Sequence, residues 1–236
     1  MKCKLKRLLF VVQSILSTNP TIYMFLYKLF GKNNRLLVNS DTQIVIEGFP
    51  RSGNTFSVVA LEWAQDRKLN IAHHLHAATQ IIWAVNNNIP AVALIRKPVD
   101  AVASLVIREP CITIGAGLRE YIRFYQAILP YKKDLLVVEF EQVISDYGES
   151  IMKMNEKFST DFSFFEHNSE NVKKVFELVQ QYSIEESTSN TLDEKKVARP
   201  SVDRKLQAES FKNIIHGSEY SVLLARANEL YNELLE

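Results

Sequence analysis

Ile44-Val45-Ile46-Glu47-Gly48-Phe49-Pro50-Arg51-Ser52-Gly53-Asn54-Thr55-Phe56 is the stretch whose reading decides the fold. An apolar run of strand type feeds a loop framed by Gly48 and Gly53, and the apolar positions Val58, Val59, Leu61 and Trp63 continue a helix to about Arg67. The order is strand, phosphate loop, helix. The two glycines and the hydroxyl of Thr55 reproduce the frame of a nucleotide-phosphate loop, but Asn54 stands where an NTPase carries its phosphate-binding lysine.

Outward from the loop, residues 69–74 suit a short strand and 76–86 a helix that ends at Asn86-Asn87-Asn88 and Pro90. Residues 91–95 form a continuous apolar run of the kind buried in parallel sheets, ending at Arg96 before a helix over 98–107. A helix over 118–129 with an aromatic face of Tyr121, Phe124 and Tyr125 follows, then a strand over 135–138 and a helix start over 139–144. Strands alternating with helices predict an α/β fold, a three-layer parallel sheet flanked by helices, with ligand groups collected at the strands' carboxyl ends. Beyond Tyr147 the pattern is helical over 151–158, 172–182 and 220–235, with a polar, acidic loop over 184–196 and a basic cluster over 197–205.

Length and composition bound the function. At 236 residues the chain can bury a sizeable core as one domain. A net charge of +1 argues against a nucleic-acid-binding surface. Cys3 and Cys111 are too few for a disulfide framework, and read as free thiols they suit a reducing, cytoplasmic setting. Residues 1–40 differ from 41–236: Lys2, Lys4, Lys6, Arg7, Lys28, Lys32 and Arg35 precede the first acid, Asp41. Polar residues and Pro20 interrupt the apolar runs well short of the ~20 residues a spanning helix needs. Two short amphipathic helices split at Asn19-Pro20 are expected, and three roles stand open for them: packing on the domain, a peripheral membrane contact, or a cleaved signal.

An NTPase loop needs a lysine for the β- and γ-phosphates and a carboxylate at a second strand end to support magnesium. Here Asn54 replaces the lysine, and the 91–95 strand ends in Arg96 instead of an acid. What remains is a nest of backbone donors at a helix N-terminus, supplemented by Arg51, Ser52, Asn54 and Thr55, which suits a tetrahedral anion. Arg96 and Ser104 offer a second anion site at the next strand end. Two such sites on one sheet edge describe a nucleotide phosphorylated at two places.

These residues resemble a known family. Gly48 to Phe56 is similar to the 5′-phosphosulfate loop of the PAPS-dependent sulfotransferases, and Arg96-Lys97-Pro98-Val99-Asp100-Ala101-Val102-Ala103-Ser104 is similar to their 3′-phosphate segment, Arg-x-Pro-x-Asp-x-x-x-Ser. The resemblance covers about residues 44–147. It implies a P-loop NTPase-like sulfotransferase architecture, a PAPS donor with PAP as product, no required metal, and an acceptor hydroxyl on a glycan, lipid or small alcohol. Donor-binding residues by the same resemblance are Pro50, Arg51, Ser52, Gly53, Asn54, Thr55, Phe56, Arg96 and Ser104. Arg199, Ser201 and Arg204 stand where the family's C-terminal segment closes over the donor, without its common Arg-Lys-Gly wording. The resemblance further implies that Arg51 stabilises the leaving phosphate.

The catalytic base by this resemblance lies in Ala72-His73-His74-Leu75-His76, where His74 fits the register best and His76 is the second choice. The lysine that often precedes the base is replaced by Ile71-Ala72. Three histidines also suggest a metal site, but no nearby acid or cysteine completes one. Glu47 is read as bracing the loop, Asp100 as ordering its helix start, and Trp63, Trp83, Tyr121 and Tyr125 as core. The competing functions are a P-loop nucleotide or small-molecule kinase and a noncatalytic nucleotide-fold protein that binds a membrane or partner; neither accounts for both strand-end motifs.

Overall fold

The computed structural model describes residues 2–31, 33–185 and 202–236. Its centre is a four-stranded parallel sheet in the order β2-β1-β3-β4, made of Ile44–Gly48 (β1), Ile71–His73 (β2), Ala91–Ile95 (β3) and Leu136–Glu139 (β4). Every residue of β1 and β3 is buried. Successive side chains of these central strands enter different cores: Val45, Ala91, Ala93 and Ile95 face one, and Ile44, Ile46, Val92 and Leu94 the other. Because both faces are covered, β3 reads as an unbroken apolar run and β1 as one interrupted only by Glu47.

The helices are Lys2–Leu16 (α1), Pro20–Phe30 (α2), Asn54–Ala64 (α3), Ala78–Asn86 (α4), Pro98–Arg108 (α5), Ile114–Ile128 (α6), Phe140–Ser145 (α7), Tyr147–Phe158 (α8), Ser169–Glu185 (α9), Val202–Ile215 (α10) and Ser221–Leu235 (α11). Residues of α3, α8 and α9 build one core, and residues of α4, α5, α6 and α11 the other. The expected three-layer α/β architecture is therefore present. The chain runs from β1 to β2 on one side and then to β3 on the other, which makes the β1/β3 boundary the topological switch point where following loops part. The register pairs Gly48 with Leu94 and Ile95 with Glu139, so the loop after β1 and Arg96 after β3 leave the sheet at one edge.

The N-terminal segment splits where expected, at Asn19, whose side chain accepts the Ile22 N–H 3.1 Å away and caps α2. Both helices rest on the domain. Tyr23 and Met24 are buried in the core, and Ser17 O accepts the Thr79 hydroxyl at 2.6 Å and the Thr79 N–H at 2.8 Å. Among the described residues no helix is long and apolar enough to cross a membrane.

Several expectations are corrected. Cys3 and Cys111 are not free thiols: they form a disulfide, because α1 lies along α6 and brings their Cα atoms to 4.9 Å. The pairing removes the support that free thiols lent to a reducing compartment. Trp63 is not core but 44% exposed in the last turn of α3. α6 begins at Ile114 instead of residue 118, since Thr113 caps it by accepting the Ala116 N–H at 3.3 Å. Tyr121 and Tyr125 are fully buried, as read. Arg199 and Ser201 lie outside the described residues; Arg204 falls within α10.

Candidate functional site

The site grows from the end of β1. A Cβ on Gly48 would stand 2.3 Å from the Leu94 carbonyl oxygen, so a side chain there would force β1 and β3 apart. Gly53 holds φ 94°, a left-handed conformation that costs an L-residue roughly 1–2 kcal/mol. It is the N-cap of α3 and offers no side-chain cap, leaving the first-turn amides directed at the loop. Arg51 also has a positive φ, 73°. Such backbone is kept only where surrounding contacts dictate it.

Several contacts hold this backbone in place. Asn54 Nδ2 donates to the Phe49 carbonyl at 3.2 Å across the loop, so Asn54 braces the turn from inside. Tyr125 accepts the Phe49 N–H at 3.3 Å and donates its hydroxyl hydrogen to the Leu94 carbonyl at 2.7 Å, tying the ends of β1 and β3 together. Ser52 is fully buried. Phe56 is core, edge-on to Tyr147 and Phe165, so any part it takes in anion binding falls to its backbone N–H.

The two motif segments meet. Arg51 Nε donates to Ser104 Oγ at 3.0 Å, and Arg96 Nη1 donates to the Arg51 carbonyl at 3.1 Å. The Arg96 guanidinium lies 4.0 Å above the Phe140 ring, and its carbonyl accepts the Tyr121 hydroxyl at 2.8 Å. Arg96 Nε is buried and has no hydrogen-bond partner among the described residues. Burial lowers the Arg96 pKa, while Asp100 and Glu141 act to raise it. A buried cation with an unused donor, beside a second guanidinium and a serine hydroxyl, is an arrangement suited to an anion.

Against Gly48 and Thr55 lies the β2–α4 loop, in which His74 and His76 both hold positive φ, 60° and 49°. Glu47 explains how the loop is held. Fully buried at the penultimate position of β1, its carboxyl accepts the Leu75 N–H at 2.7 Å, the His76 N–H at 3.0 Å and Gln80 Nε2 at 3.2 Å. Burial pushes the Glu47 pKa up to about 8, against the lowering effect of these hydrogen bonds. Glu47 thus braces the histidine loop and also hydrogen-bonds the Gly48 backbone at the head of the phosphate loop, the contact read from sequence. A lone acid inside an apolar strand was the signal available for this role.

His76 Nδ1 lies 2.9 Å from the Gly48 carbonyl, an acceptor only, so Nδ1 carries the proton and Nε2 keeps its lone pair. His74 Nε2 lies 2.9 Å from Thr55 Oγ1 on the first turn of α3, and its Nδ1 bonds His73 Nδ1. Burial is the main cause that lowers all three histidines: His73 and His76 to about 4, His74 well below its ordinary value. Arg108, at the end of α5, adds repulsion to His74 and His76 and was not singled out in the sequence. Burial thus favours the neutral form of all three imidazoles. Among the described residues no group of three or more His, Cys, Asp or Glu side chains could hold a metal ion.

No protein-family model matches the chain, and no curated protein matches it. Among solved structures, a mouse sulfotransferase complexed with PAP matches with a TM-score of 0.42 and 14% sequence identity, over 80% of this chain and 90% of that one.

Proposed function

We propose that the chain is a sulfotransferase that moves a sulfuryl group from PAPS to an acceptor hydroxyl on a glycan, lipid or small alcohol. The observation that carries this reading is the joining of Arg51, Arg96 and Ser104 at the switch point, with a cation where a magnesium-dependent kinase would place its acid. The α3 amides and Arg51 receive the 5′-phosphosulfate; Arg96 and Ser104 receive the 3′-phosphate. Pro50, Ser52, Asn54 and Phe56 shape the cradle through backbone and bracing contacts, and Arg199, Ser201 and Arg204 are proposed to close over the donor.

In the reaction the acceptor oxygen forms a bond to sulfur as the sulfur–oxygen bond to the 5′-phosphate breaks in line. The acceptor proton passes to His74 Nε2, and the electron pair leaves with PAP, its growing charge held by Arg51 and the loop amides. His74 is preferred because its contact with Thr55 puts Nε2 beside the α3 N-terminus; His76, with its free Nε2, is the second choice. Bound donor charge raises the low pKa of either histidine toward the working pH. Incubation with sulfur-labelled PAPS and host glycan, lipid and metabolite fractions tests the reading. Labelled product is expected without added metal, and label transfer from ATP but never from PAPS would overturn it.

A further inference from the structure

The helices α1 and α2 each leave a series of large apolar side chains uncovered. On α1 these are Leu5, Leu8, Leu9, Val12 and Ile15, at the three-and-four spacing of one helical face; on α2 they are Ile22, Phe25, Leu29 and Phe30, with Phe30 79% exposed. Neither helix is loose. α1 is held by the Cys3–Cys111 disulfide and by Arg123, which donates to the Ser14 hydroxyl, while α2 buries Tyr23 and Met24 in the core. The outward faces are thus presented on a fixed support.

Beside the α1 face runs a cavity of about 550 Å³ between α1 and α6, whose cationic lining is Lys4, Arg7, Arg119 and Arg123, with Leu8 and Phe10 as its apolar walls. Arg119 Nη1 donates to the Gly115 carbonyl at 3.1 Å, and Arg123 lies 3.4 Å from Glu120, the acid paired with the groove. Lys2, Lys6 and Lys28 add positive charge on the same two helices, and no acid precedes Asp41.

We infer that α1 and α2 form a docking surface for an anionic lipid bilayer: the apolar faces enter the acyl boundary and the Lys4/Arg7/Arg119/Arg123 groove receives phosphate headgroups. An apolar face flanked by cations is the pattern of helices that lie in a membrane interface. A second copy fits less well, since self-association of this surface sets its own cations against each other. At 15 and 11 residues the helices lie on the bilayer and do not span it.

Co-sedimentation of the full chain with vesicles tests this, using phosphatidylcholine alone and phosphatidylcholine mixed with phosphatidylglycerol. Binding to the anionic vesicles is expected to exceed binding to neutral ones by about tenfold or more and to weaken as salt rises. Leu8→Glu with Leu9→Glu, and separately Lys4→Glu with Arg7→Glu, should each abolish most of it. Phe25→Ser with Phe30→Ser, at exposed sites on the other helix, provides an independent variant, and an unchanged melting temperature and PAP affinity certify folding of each. Equal binding to both vesicle types overturns the proposal. So does full binding by the folded Leu8→Glu/Leu9→Glu variant, or a solution mass of two copies that this variant reduces to one.

Discussion

Arg96→Ala should sharply reduce the preference for PAP over adenosine 5′-monophosphate, which lacks the 3′-phosphate. In the structure one end of this guanidinium is committed to the Arg51 carbonyl at 3.1 Å, whereas Nε is buried and unpartnered among the described residues. A charge-assisted hydrogen bond from that unused edge is worth about 1.5–3 kcal/mol. At about 1.4 kcal/mol per decade, the loss is roughly 10- to 150-fold in PAP affinity. Contact with Phe140 at 4.0 Å and the bond to the Arg51 carbonyl contribute to the fold, so their loss should register in the melting temperature of the free protein, and monophosphate affinity should fall by less than PAP affinity. Arg96→Lys preserves charge but cannot both brace Arg51 and reach the ligand, and should recover only part of the affinity. Calorimetric titration with both nucleotides gives each number directly. A folded Arg96→Ala protein that still prefers PAP over the monophosphate by the wild-type ratio would refute the 3′-phosphate assignment.

His74→Ala should lower single-turnover sulfuryl transfer about 10²- to 10⁴-fold with PAP affinity retained, and the same loss in His76→Ala but not in His74→Ala would move the base to His76. Glu47 and Glu120 are both pushed up by burial from 4.5 to about 8, so their protonated forms favour the fold; this contribution is full below pH 4.5 and is lost as pH rises through 8. His73 and His76, lowered from 6.5 to about 4, act oppositely: their contribution is present above pH 6.5 and lost as pH falls through 4. Between pH 6.5 and 8 the carboxyls therefore dominate, and urea denaturation should show stability falling by up to about 1.4 kcal/mol per pH unit for each proton released; Glu47→Gln should flatten the slope, and a wild-type profile that is already flat contradicts the burial argument. Thiol titration of the denatured, unreduced chain should find no free cysteine, and Cys3→Ser should cost about 2–4 kcal/mol of stability; two reactive thiols in that titration would disprove the pairing.

Some of the molecule was legible along the chain because it depends on neighbours in sequence. The apolar runs 44–48 and 91–95, the glycine-framed loop between Gly48 and Gly53 and the helix that follows it are local patterns, and local sterics and periodicity carry them into the structure. The break at Asn19-Pro20 is of the same kind, a cap and a proline acting within one turn. Arg96 and Ser104 could be paired with the loop only as motifs.

Their actual relation, Arg51 bonded to Ser104 and braced by Arg96, arises from the β1/β3 register and the reversal of strand order beside β1. Nothing local specifies either. The same holds for Glu47 reaching across the sheet edge to hold Leu75 and His76, for Tyr125 linking two strand ends from α6, and for Cys3 meeting Cys111 across 108 residues. Sequence alone determined which chemical groups this protein possesses and which short elements carry them. Tertiary packing decided which groups share a desolvated edge, since burial and approach between distant segments exist only once both faces of the sheet are covered.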